Sequence, residues 1–81
     1  MTSAERLILK GRAAEARQKL SKLRVAVSGF VSFLRIKLDP AAPIGTLDTA
    51  AILSAAESLN EKQAEYNETA DALRRMEEEL A

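Results

Sequence analysis

Two seven-residue apolar repeats, held apart by a proline-glycine segment, constrain this chain more than any other feature. In the first repeat Leu9, Ala13, Ala16, Leu20, Leu23, Val27, Phe30 and Leu34 recur at spacings that alternate four and three without a break. At 3.6 residues per turn that spacing puts all eight on one stripe, which predicts a long helix with a single seam. In the second repeat Ile52, Leu59, Tyr66, Leu73 and Leu80 each follow the last by seven residues. The flanks of this second stripe leave two frames open. One is completed by Ala56, Gln63, Ala70 and Glu77, the other by Ala55, Lys62, Thr69 and Met76.

The ends of both helices are marked. Thr2 is a capping residue for the first, and Glu5, three positions on, is placed to reach back to it. Pro40 disfavours the helical conformation at Asp39, so the first helix is expected to end near Leu38. For the second helix Asp48 is the expected cap, with Thr46 as the alternative; Leu47 and Ile52 stand where a hydrophobic staple forms. Helices over about 3–38 and 48–80, joined by a turn over 39–47, are each roughly 50 Å long. Arms of equal length joined by a short turn fold back antiparallel.

Charge divides the chain at the same place. Residues 1–38 hold nine Lys and Arg against two acidic residues, a net of +7, and residues 39–81 hold ten Asp and Glu against three basic residues, a net of −7. The formal net charge of zero hides a basic arm and an acidic arm. Lys10, Arg12, Arg17, Lys19 and Arg24 fall on the shoulders of the first stripe, where their aliphatic stems can cover the seam. Glu57, Glu61, Glu68, Asp71 and Glu78 point away from the second seam in either frame, so few direct ion pairs between the arms are expected. Gly11 and Gly29 each cost about 1 kcal/mol against Ala in a helix interior. Gly29 could let another backbone approach closely.

After Leu23 the apolar residues outnumber what one seam can use. Val25, Val31, Phe33, Ile36 and Leu38 lie off the stripe. Val31, Phe33, Ile36 and Leu38 are read as a second contact surface, for self-association before a foreign partner. The segment Val31–Leu38 is also rich in strand formers, but no other segment could pair with a strand there.

Most chemistry lacks its residues. There is no Cys and no His, so thiolate ligands, disulfides and the commonest general base are missing. Glu61, Glu65 and Glu68 line one side of the second helix at i, i+4, i+7; without His this reads as a solvated face rather than a di-metal site. No Gly-rich phosphate loop is present, and no Ser or Thr has a base to activate it. The first residues do not have the form of a signal peptide, and the longest uncharged stretch of the first arm, Val25–Leu34, is too short to span a bilayer. Lys10, Arg12, Arg17, Lys19, Lys22 and Arg24 could meet phosphates, yet the acidic arm alongside would repel a nucleic-acid backbone.

The segments Leu9-Lys10-Gly11, Leu34-Arg35 and Leu38-Asp39-Pro40, followed by Ile44 and Leu47, resemble small proteins carried by Mu-like bacteriophages and prophages. The resemblance runs over most of the chain. It brings no activity and no site residues with it, and it implies a cytoplasmic setting in a bacterial or phage-infected cell.

The expectation is an all-α, coiled-coil-like antiparallel hairpin that dimerises into a four-helix bundle. Two helices alone enclose no interior, and a second hairpin would close the core. The residues expected to carry assembly are Leu9, Leu20, Leu23, Val27, Phe30 and Leu34 with Ile52, Leu59, Tyr66, Leu73 and Leu80, and Val31, Phe33, Ile36 and Leu38 at the second contact. The expected function is non-enzymatic and works through protein–protein contacts, with no cofactor and no small-molecule substrate. The alternatives are nucleic-acid binding by the basic arm and docking of one hairpin on another protein as an adaptor or inhibitor.

Overall fold

A computed structural model describes residues 1–81. Helix α1 spans Ser3–Lys37 and helix α2 spans Thr49–Leu80, with one short 3-10 turn, Ile44–Thr46, between them. The two helices pack along their length as an antiparallel hairpin, a rod with Cα extents of 63 × 15 × 14 Å. Val31–Lys37 belongs to α1, and the strand alternative for that segment is not adopted.

Each boundary has a hydrogen-bonded cause. The Thr2 hydroxyl accepts from the Glu5 N–H at 3.1 Å, and the Thr2 carbonyl accepts the first helical bond from Arg6. The reciprocal bond from the Glu5 carboxylate is not made, so half of the expected capping box forms. At the far end the Leu38 N–H closes the last turn on the Leu34 carbonyl at 2.8 Å, and Arg35 and Lys37 stand where the helix dipole favours positive charge. Asp39 then accepts from the Ala41 N–H at 2.9 Å, an Asx turn that redirects the chain.

Asp48, rather than Thr46, caps α2: its carboxylate accepts from the Ala51 N–H at 3.1 Å. The Thr46 hydroxyl is already used, donating to the Pro43 carbonyl at 2.7 Å. Leu47 and Ile52 are both half-buried, at the positions a hydrophobic staple uses. The open end of the hairpin is tied by Arg6, whose guanidinium donates to the Leu80 carbonyl at 2.7 Å. That bond places a positive charge on the unsatisfied C-terminal carbonyls of α2.

The seam of α1 is as the repeat predicts. All eight stripe residues from Leu9 to Leu34 are buried or half-buried. In α2 the structure selects one of the two frames. Ile52, Ala55, Leu59, Lys62, Tyr66, Thr69, Leu73, Met76 and Leu80 form an unbroken line of buried or half-buried residues, whereas in the other frame Ala70 alone is half-buried and Ala56, Gln63 and Glu77 are exposed. The polar members of this line reach partners from inside the seam. Tyr66 accepts from the Arg24 guanidinium at 3.3 Å, the Thr69 hydroxyl donates to the Glu65 carbonyl at 2.8 Å, and the Lys62 ammonium lies 3.6 Å from the Glu65 carboxylate. Their apolar stems pack while their tips stay at the edge.

Only Ala13, Leu23 and Ala55 are buried, and no large side chain is completely enclosed. The total exposed surface is 6122 Å². A globular monomer of 8.8 kDa exposes about 4,800 Å². The hairpin therefore leaves roughly 1,300 Å² more surface in water than its mass requires.

Candidate interaction surface

The surplus apolar residues are exposed, but helix geometry divides them. Ile36 and Val25 are about three-quarters exposed, and Leu38, Val31 and Phe33 less so. Residues three or four apart share a face. Phe33 and Ile36 therefore stand on one side of the α1 seam, Val31 and Leu38 on the other, and Val25 on the outer back. The four residues expected to make one second contact form two half-patches. Leu7, Ile8, Leu53 and Ile44 are also largely exposed, and the repeats alone did not single them out.

The Phe33 side carries a groove. Between the helices at the turn end, a depression of about 540 Å³ is lined from α1 by Ala26, Gly29, Phe30 and Phe33 and from α2 by Ala51, Ser54, Ala55 and Ser58. No charged residue lines it. Its floor is small because every α2 residue there is Ala or Ser. A Cβ added at Gly29 would meet nothing within 4 Å. The hairpin itself thus makes no use of the bare backbone at Gly29, and the close approach that the glycine allows is left open. The Lys37 ammonium sits 5.6 Å from the centre of the Phe33 ring, a cation–π contact at the groove's end. The repeats mark Gly29, Phe30, Phe33 and Ala55 but not Ala26, Ala51, Ser54 and Ser58. The signal on α2 is the seven-residue interval from Ala51 to Ser58, which continues to Glu65 and Ala72.

Further from the turn the same side becomes charged. Lys19 bridges to Glu65 across the seam at 3.3 Å, and Glu65 also receives Lys62. Glu65 is thus a half-buried flank of the seam, which corrects the reading of Glu61, Glu65 and Glu68 as a uniformly solvated row; Glu61 and Glu68 are exposed. The hydrogen bond from Lys19, then the fields of Lys62 and Lys19, hold the Glu65 carboxyl below its ordinary value of 4.5, and partial burial opposes them. The other bridge between helices, Arg17 to Glu77 at 3.5 Å, lies on the opposite side of the seam. Two direct pairs between arms of such opposed charge is a small number, as the outward direction of the other acidic residues implies.

The six basic residues weighed for nucleic acid do not form one stripe. Lys10, Arg17 and Arg24, each seven apart, lie along one shoulder, and Arg12, Lys19 and Lys22 lie along the other. Arg17 and Lys19 are paired to Glu77 and Glu65, and Arg24 donates to Tyr66. No group of three or more acidic residues converges to hold a metal ion. No helix is long and apolar enough to cross a membrane. In comparisons with protein-family models, curated proteins and solved structures, this chain matches none.

Proposed function

We propose that this chain is a non-enzymatic assembly protein whose hairpin completes its core by pairing with a second copy, giving a four-helix bundle that acts through protein–protein contacts. One observation carries this reading: the hairpin exposes about 1,300 Å² beyond what a globular chain of its mass exposes, against the roughly 800 Å² that each partner contributes to a standard interface. The groove beside Phe33 supports the same reading, being free of charge, shallow and lined by small residues. The setting we infer from the resemblance to small Mu-like phage proteins is the cytoplasm of a bacterial cell.

Sedimentation equilibrium tests this directly. The parent chain is expected at twice the 8.8 kDa chain mass. Phe33→Asp places a charge beside the groove and is expected to weaken association more than Arg12→Asp does. A monomeric parent at 100 µM, or two variants that assemble as the parent does, would reject the reading. Docking on a foreign protein would then be the better account.

A further inference from the structure

Resting on the self-association just described, the geometry points to one arrangement of the second copy: face to face across the Phe33 side, with both turns at the same end and α1 of each hairpin lying over α2 of the other. Three observations lead there.

The first is charge. On this side, beyond the groove, α1 presents Arg12, Lys19 and Lys22 with Glu5 and Glu15 among them, a net of +1, and α2 presents Glu61, Glu65, Glu68 and Glu79 with Arg75 among them, a net of −3; nearest the groove the rows are purely Lys19 and Lys22 on α1 and Glu61, Glu65 and Glu68 on α2. A two-fold axis along the rod lays α1 over the partner's α2. The Lys19–Glu65 pair fixes the relative height of the helices, so Lys22 of one copy comes level with the stretch between Glu61 and Glu65 of the other. The competing two-fold axis, across the rod, lays α1 over α1 and α2 over α2, which sets the Lys19–Lys22 stretch near the middle of α1 on its own copy and the mostly acidic row of α2 on its own copy. The opposite side of the hairpin has no such complementarity. There Lys10, Arg17, Arg24 and Arg35 of α1 flank an α2 row of Asn60, Gln63, Asn67 and Arg74 in which Glu77 is the one acid.

The second is fit. With turns together, the uncharged groove of one copy meets that of the other. Phe33, 38% exposed, then stands over small Ala and Ser side chains, and the space above Gly29 admits the neighbouring helix. With turns apart, the same apolar groove would face the charged rows. The third is area. A face of 63 × 15 Å covers about 900 Å², close to the contribution of one partner to a stable dimer.

The chain has no cysteine, so one label site can be introduced cleanly. Gly45 lies in the exposed turn with nothing within 4 Å of an added Cβ. Gly45→Cys carrying a nitroxide should give an intermolecular distance below about 30 Å by pulsed electron resonance, since packed helices lie only 8–10 Å apart. A distance of about 60 Å, the length of the rod, would overturn the arrangement while leaving self-association standing. No intermolecular distance, together with a monomer mass, would remove self-association and the arrangement with it. As a second arm, Lys22→Glu and Glu61→Lys should each weaken the dimer about tenfold, because each change occurs twice across the two-fold axis. The two together should restore the parent affinity. Additive losses in the double variant would overturn the proposed facing of α1 on α2.

Discussion

Leu23 is the one large side chain that the hairpin nearly encloses, at 5% exposed, and its truncation reports on the seam more sharply than any other substitution. Leu23→Ala removes three carbon atoms from the interface between α1 and α2. At about 0.8 kcal/mol per buried methylene the lost transfer energy is about 2.4 kcal/mol. The cavity contribution should be small. The seam is open along both flanks, and Leu20 and Val27, one turn away on the same stripe, are only half-buried, so side chains can settle into the space. The expected cost is therefore about 2–3 kcal/mol, at the low end of the Leu→Ala range. Leu53→Ala is the matched control. Leu53 is 61% exposed on α2, and Ala is the better helix former, so its change should stay within about 0.5 kcal/mol. Urea unfolding followed by helical circular dichroism, with all chains at one concentration, measures both. Equal losses at the two positions would refute the seam as drawn, and so would a Leu23→Ala variant as stable as the parent.

Two further outcomes follow from local geometry. Gly11→Ala should stabilise the chain by up to about 1 kcal/mol, since α1 is helical there and an added Cβ meets nothing within 4 Å; a lower melting temperature for the variant would show that something covers Gly11. Glu65 has a folded carboxyl held below its ordinary 4.5 by Lys19 and Lys62, so the stabilisation it gives is fully present above that value and is lost as pH falls through the folded value. Glu65→Gln should therefore flatten the fall of stability below pH 4.5 in acid unfolding curves, and an unchanged slope would show that the bridges to Lys19 and Lys62 do not couple to folding.

The seam of α1 was legible because every one of its eight positions is apolar, so period and chemistry agree. The seam of α2 was half legible. Its heptad line from Ile52 to Leu80 is apolar, but the alternate positions include Lys62 and Thr69, whose polar tips argue for a surface although their stems pack inside. Tyr66 and Thr69 stay in the seam because Arg24 and the Glu65 carbonyl take their hydroxyls. The turn was legible through Pro40 and Asp48, each acting on its own neighbours. The groove was not. It depends on which α1 residues stand level with Ala51, Ser54 and Ser58, and that register comes from the length of the turn and the packing of two distant segments. For the same reason Glu65 read as solvent-facing in its own helix, although Lys19 of the other helix meets it.

So little of a single hairpin is enclosed that its folding and its pairing are expected to be one event. Thermal melts of the helical signal at 1 and 100 µM chain measure that coupling. For a folded dimer a hundredfold rise in concentration adds about 2.7 kcal/mol and should raise the melting temperature by about 8 °C. A cooperative melt at the same temperature at both concentrations would mean that one hairpin is stable alone, and would contradict the account.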